Sequence, residues 1–172
     1  MKKIFLTILV SIVALTSCNA QNKNEQMVNE QMKKCLVVFF SHAGDNYSVG
    51  NIQVGNTKIV ADYISEITGA DRFEIVTHKY DGMAYKPLCD LAQEEQYADA
   101  RPAFEPLITS SNGKAVKPAN IKDFFADYDV IFVGGSVWWG TWPQVMFTFF
   151  DTYDLNGKTL YPFTTHEGSG LR

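Results

Sequence analysis

Basic charge is in short supply in this 172-residue chain. It carries 15 Lys and Arg against 19 Asp and Glu, a net charge of −4. No basic field therefore points to nucleic acid. Histidine is scarce too, and His42, His78 and His166 do not show metal-ligand spacing. No apolar stretch reaches the ~20 residues of a membrane-spanning helix. No G-x-G-x-x-G follows a strand, which weighs against a dinucleotide site. No Gly-Lys-Ser or Gly-Lys-Thr follows the first apolar run of the domain, which argues against nucleoside triphosphate hydrolysis. No nucleophile has an identifiable base and orienting partner, so a hydrolase has no specific support. What is present suits one domain with some extra chain at an end. Apolar residues make up 46 %, enough for a sizeable core, and the charged fraction of 20 % argues against disorder.

The first residues are distinct. "MKKIFLTILVSIVALTSC" starts with Lys2 and Lys3, continues with an apolar run from Ile4 to Leu15, and ends in small residues before Cys18. This is the pattern of a secretory signal. "LTSC" resembles the bacterial lipobox, which implies cleavage before Cys18 and lipidation of its thiol; an ordinary signal peptide with a chance cysteine is the alternative. Removal of residues 1–17 takes away two lysines and no acid, leaving a mature charge of −6. Residues 18–33 are polar and read as a flexible tether. Cys35 and Cys89 remain; an exported protein can pair them, and spacing does not decide it.

The rest of the chain alternates between two periodicities. "CLVVFF" (35–40) reads as a strand buried on both faces. Residues 41–56 read as a long loop. "TKIVADYISEITG" (57–69) is predicted helical, with Ile59, Val60, Tyr63, Ile64 and Ile67 at helical spacing and Gly69 as its stop. "RFEIV" (72–76) reads as a strand. Residues 77–117 are less regular, with a helix over 88–100 and a turn at 110–114. A short helix (119–128), a buried strand (130–135), a helix with Pro143 in its first turn (143–153) and a third buried strand (157–163) follow. The loop 164–172 comes last. Strands alternating with helices imply parallel βαβ units and an open α/β sheet. Ligands of such sheets bind beyond the carboxyl ends of the strands. The loops 41–56, 134–142 and 164–171 leave such ends and are expected side by side on one rim.

Each loop has a chemistry. The first enters a helix at "GNTK" (55–58), where Asn56 or Thr57 can cap and the free N–H groups suit a phosphate monoester; a plain capped helix start is the other reading. The second, "GGSVWWGTWPQ", holds all three tryptophans, Trp138, Trp139 and Trp142. Indole rings suit stacking on a planar heteroaromatic ring, or fold back as a lid on the core. Trp142, beside Pro143, is expected to pack at the helix start. The third, "THEGSG", offers backbone at glycines. There His166 and Glu167 are either catalytic or solvated.

At these loops the sequence resembles the flavodoxin-like proteins, in particular exported bacterial ones. The match runs through "VVFFSHAGDNY…VGNTKIVADYI" (37–64), "DARPAF" (99–104) and "YDVIFVGGSVWWGTWPQVMFTFFDTYDLNGKTLYPFTTHEGSG" (128–170). It covers roughly residues 34–172. The resemblance implies a three-layer α/β sandwich on an open parallel sheet of order 2-1-3-4-5, with non-covalent FMN. By position Ser41, Asn56 and Thr57 would bind the FMN phosphate, bordered by His42 and the intervening loop. Ser136, Val137, Trp138, Trp139 and Gly140 would flank the isoalloxazine. Thr165, His166, Glu167, Gly168 and Ser169 would supply the third loop. No residue is assigned a catalytic or metal-binding role. The sequence departs from the pattern in three ways. "GDNYSVGNIQV" lengthens the phosphate loop. "GGS" (134–136) lacks the usual bulk and is expected to loosen the second loop. The last strand and closing helix of the fold have no counterpart here.

The function that the resemblance implies is electron transfer by bound FMN at the outer side of the cytoplasmic membrane. The protein would be an exported, lipid-anchored lipoprotein on the periplasmic face, with a protein or small-molecule redox partner. No identifiable Lys or Arg stands near the ring, so a low-potential carrier is expected. The alternatives are an NAD(P)H-dependent FMN oxidoreductase of the quinone-reductase type, and a lipid-anchored binding protein that no longer holds FMN.

Overall fold

The computed structural model describes residues 33–169. The expected signal peptide, the lipidation site Cys18 and all of the tether but its last residue lie outside the described residues. The elements in chain order are β1 (Cys35–Phe39), β2 (Gly44–Asn46), β3 (Gly50–Ile52), α1 (Asn56–Thr68), β4 (Asp71–Val76), a 3₁₀ turn (His78–Tyr80), α2 (Tyr85–Tyr97), β5 (Glu105–Thr109), α3 (Ile121–Phe124) running into a 3₁₀ turn (Phe125–Asp127), β6 (Val130–Ser136), α4 (Gln144–Thr152) and β7 (Thr159–Thr165).

The main sheet has the order β5-β4-β1-β6-β7. Neighbours β4, β1, β6 and β7 pair in parallel, in the expected sequence of second, first, third and fourth strands. β1 is central because its apolar run has no polar face: Leu36, Val37, Val38 and Phe39 are all 0 % exposed. Its alternation feeds two cores. Leu36 and Val38 join Phe73, Ile131, Met146 and Phe149 on one side of the sheet. Val37 and Phe39 join Ala61, Ala70 and, more loosely, Ile64 and Phe132 on the other. Burial of each such aliphatic or aromatic side chain contributes about 1.5–3 kcal/mol. That suffices to fix β1 between β4 and β6.

Several expectations are corrected. β5 lies where irregular chain was expected, and it runs antiparallel to β4. Pro106 and its mostly exposed side chains, with only Ile108 buried, hide an edge strand from a hydrophobic pattern. α1 ends at Gly69 as expected, in the left-handed conformation with φ 69°. Its buried face, however, is Thr57, Ala61 and Ser65, while Ile59, Tyr63 and Ile67 are exposed. Small residues let the helix lie close on β1, and Ser65 Oγ spends its proton on Ala70 O at 2.7 Å. β7 is not a buried strand. It borders the sheet on one side only among the described residues, with Leu160 41 % and Tyr161 53 % exposed.

The two glycines that open the tryptophan loop do not loosen it. A Cβ on Gly134 would stand 2.5 Å from the ring of Phe163, so that ring fills the space a side chain would take. Thr164 Oγ1 donates to Gly135 O at 2.8 Å and ties the same two strands.

Candidate cofactor site

The carboxyl ends of β1, β6 and β7 lead into three loops that meet. At the first, the cap of α1 is neither Asn56 nor Thr57. Gly55 occupies the N-cap position with no side-chain bond of its own. Ser41 Oγ, from the loop leaving β1, accepts from the Lys58 N–H at 3.0 Å. The closeness demands glycine, since a Cβ on Gly55 would collide with Ser41 Oγ and lie 2.5 Å from His42 O. The first helical bonds start at Lys58 and Ile59, both to Gly55 O. The N–H groups of Asn56 and Thr57 precede them, at the positive end of the helix dipole. The Thr57 hydroxyl is buried and shares a hydrogen bond of 2.8 Å with the Thr165 hydroxyl.

Thr165 is the junction of the rim. Besides meeting Thr57, it accepts the Val137 N–H on its carbonyl at 2.9 Å. The second and third loops are thereby joined directly. Residues 138–141 then make a tight turn, with Trp138 N–H to Thr141 O at 2.7 Å and Thr141 N–H back to Trp138 O at 3.2 Å. Its two central residues, Trp139 and Gly140, both have positive φ, 52° and 84°. That is the requirement of a type I′ turn, and a bulky residue there is strained.

The turn sends the three indoles to different places. Trp138 packs edge-on against Phe40 and Tyr80 at 5.7 and 5.1 Å and against His42 at 5.9 Å. Trp139 is 52 % exposed and donates Nε1–H to Cys89 O at 2.8 Å. Trp142 stacks on Phe150 at 6.0 Å and joins the core, the packing role expected of it.

The long first loop folds on itself. β2 and β3 pair as an antiparallel hairpin, with Asn46 opposite Gly50 and Ser48 at φ 63° in its turn. Asp45 Oδ2 accepts the Tyr85 N–H at 2.8 Å, so the hairpin caps α2. The Tyr47 and Tyr85 rings meet at 5.6 Å. This pins the hairpin across the rim as an outer wall.

Together these segments enclose a cleft of about 330 Å³, within the range of small-molecule sites. Eleven of the residues expected at a site line it: His42, Asn56, Thr57, Ser136, Val137, Trp138, Trp139, Thr165, His166, Glu167 and Ser169. Ser41, Gly140 and Gly168 do not; Ser41 is turned to the helix cap, and the two glycines shape turns at φ 84° and 85°. Sequence reasoning places the loop after His42 at the border of the site without singling out Asp45, Asn46, Tyr47 and Val49, and it misses Tyr85, Leu88, Cys89 and Ala92 of α2. The last four recur at helical spacing, a signal available in the sequence. Cys89 and Cys35 form no disulfide.

The cleft is electrostatically one-sided. Asp45 and Glu167 line it, and no Lys or Arg does among the described residues. Burial lowers the pKa of His42, against the opposing pull of Asp81 and Asp45, so the ring is neutral at pH 7. The Tyr85 phenol is pushed up to about 12, first by its hydrogen bond with Cys89 and then by burial. Two buried polar atoms on the cleft residues, His42 Nε2 and Ser136 Oγ, have no protein hydrogen-bond partner. Such atoms call for a partner from outside the chain.

An open, mostly parallel sheet with its cleft at the carboxyl strand ends defines a doubly wound α/β protein with a cofactor-type site. The chain belongs to the flavodoxin family, whose model matches residues 34–172. Solved structures agree in fold. A flavoprotein of Bacteroides eggerthii DSM 20697 is 24 % identical, with a TM-score of 0.55 over 80 % of this chain and 73 % of its own. A flavoprotein of Bacteroides uniformis ATCC 8492 is 24 % identical, with a TM-score of 0.52 over 81 % and 76 %. A flavoprotein of Lactobacillus acidophilus NCFM, in complex with FMN, is 20 % identical, with a TM-score of 0.55 over 80 % and 77 %. No curated protein matches the chain.

Proposed function

We propose that the chain binds FMN in the cleft and serves as an electron carrier. One observation carries this reading. A single cleft joins a helix start and two threonine hydroxyls at one part of its wall to two indoles at another, and its residues hold two polar atoms without protein partners. That donor set fits the group. Asn56, Thr57 and Thr165 would hold the phosphate through hydroxyls and helix-start amides. Residues 136–139 and 166–169 would flank the ring system, with Ser136 Oγ and His42 Nε2 free to bond its polar edge. The Lactobacillus relative in complex with FMN supports the same cofactor.

When bound, FMN supplies the redox chemistry. This chain supplies a cleft lined, among the described residues, by two carboxylates and no cation, which disfavours an added negative charge on the reduced flavin. A low-potential carrier follows. The visible spectrum of the purified full-length protein, before and after added FMN, tests the reading. A bound flavin band is expected. A colourless protein that takes up no added FMN overturns it. Bleaching of the bound flavin by NAD(P)H would point instead to a reductase.

The signal pattern and Cys18 support a location on the periplasmic face of a bacterial membrane, held by lipid. Stable anchoring takes more than one acyl chain. Fractionation tests this: the wild type should sediment with membranes, and Cys18→Ala should release it.

A further inference from the structure

Behind the Trp138 indole lies a buried polar pair that does not line the cleft. Tyr80, at the end of the 3₁₀ turn after β4, is 1 % exposed, and Glu95 on α2 is 4 % exposed. The Tyr80 hydroxyl donates to Glu95 Oε2 at 2.8 Å. Lys79 Nζ stands 2.5 Å from Glu95 Oε1, an ion pair without the alignment of a hydrogen bond. The Tyr80 ring meets Trp138 edge-on at 5.1 Å, and Phe40 closes the triangle at 6.0 Å from Tyr80. Glu95 and Trp138 also share a small hollow of about 10 Å³.

Burying a phenol and a carboxylate is costly unless they satisfy each other. An apolar pair would fill the same space without that cost. What the polar pair adds is direction. A charge-assisted hydrogen bond fixes the phenol along one line. A phenylalanine in its place could slide. The ring so fixed is the one on which Trp138 rests, and Trp138 lines the cleft.

We propose that Tyr80 and Glu95 are positioning residues of the cofactor site, their hydrogen bond making the Tyr80 ring a stop that sets the plane of the Trp138 indole. The effect on cofactor binding rests on the FMN reading above; the effect on Trp138 does not.

The test uses the full chain and has two arms. In the FMN-free protein, the near-ultraviolet circular dichroism of Trp138 is defined as the difference between wild type and Trp138→Phe. Tyr80→Phe and Glu95→Leu, each of which removes the hydrogen bond, should each lose most of that difference. In FMN titrations, each variant should bind about tenfold more weakly, the scale of one hydrogen bond. In a Trp138→Phe background, Tyr80→Phe should cost no further affinity. An unchanged Trp138 signal overturns the proposal. So does an equal loss of affinity with and without Trp138, which would mark a general loss of stability. Should Tyr80→Phe fail to fold, Glu95→Leu serves both arms. A wild type that takes up no FMN defeats the cofactor reading alone, and the dichroism still decides the role of Tyr80 and Glu95.

Discussion

Ser41 Oγ accepts the N–H of Lys58 at 3.0 Å, so the loop leaving the central strand caps the helix that follows it. The residue expected to touch phosphate is thus engaged in holding the helix start. Ser41→Ala should lower stability by about 1 kcal/mol, the usual value of a lost cap. Asn56 is exposed, and Asn56→Ala should change stability by less than about 0.5 kcal/mol while weakening FMN binding. Urea unfolding beside flavin titration separates the two. Equal losses of stability in both variants would contradict this division of labour.

Phe163 occupies the space above Gly134. Gly134→Ala should therefore overpack the β6–β7 pair and cost about 1–3 kcal/mol. Phe163→Leu should restore part of that loss in the double variant, because the two sites share one volume. Additive losses in a double-mutant cycle would show that the two positions are not coupled.

Two of the three tryptophans should separate stability from binding. Trp142→Ala removes a half-buried ring stacked on Phe150 and should cost about 2–3 kcal/mol, at or below the low end for a fully buried aromatic. Trp139→Gly relieves a strained φ of 52° while losing an exposed hydrogen bond. Its stability should stay within about 1 kcal/mol of wild type, and its FMN affinity should fall. Thermal unfolding and flavin titration of both variants check the contrast. Trp139→Gly binding FMN as tightly as wild type would remove that indole from the cofactor site.

Two histidines should move acid stability in opposite directions. The folded-state pKa of His42 is lowered from 6.5 by burial, so the unfolded chain takes the proton first. His42 then costs stability as pH falls below 6.5 and has no effect well above it. The pKa of exposed His78 is raised from 6.5 by its hydrogen bond to Asp81. Its contribution is present in acid and lost as pH rises through the folded-state value. Urea midpoints from about pH 5 to 8, where histidine titrates, should fall less steeply in acid for His42→Gln. They should fall slightly more steeply for His78→Gln.

Much of this architecture was legible because β1 and β6 are nearly continuous apolar runs that only a doubly covered strand explains. The rim was legible for a related reason: three loops stood out beside those runs. The edges were not. β5 contains a proline and one buried side chain and does not read as a strand; β7 reads as a strand, but its exposed place at the edge does not show. α1 misled for the opposite reason. Ile59, Tyr63 and Ile67 face outward and Val60 and Ile64 are only half-buried, while Thr57, Ala61 and Ser65 make the close contact. The hairpin escaped notice because Gly44–Asn46 and Gly50–Ile52 have almost no apolar alternation. Its place is set by a distant partner, the Tyr85 N–H.

That hairpin divides the cleft into two kinds of wall. One kind is continuous with the sheet: residues 136–138, 165 and 57 are linked through Thr165, and changing them disturbs the framework. The other is an inserted loop paired with itself and fastened at Asp45 and Tyr47. Apart from Asp45 and Tyr47, its side chains are free to diverge at little cost to the fold. Selectivity for what approaches the cleft can therefore be rewritten in the other residues of 44–52, which makes that short insert the natural place to re-engineer access to the site.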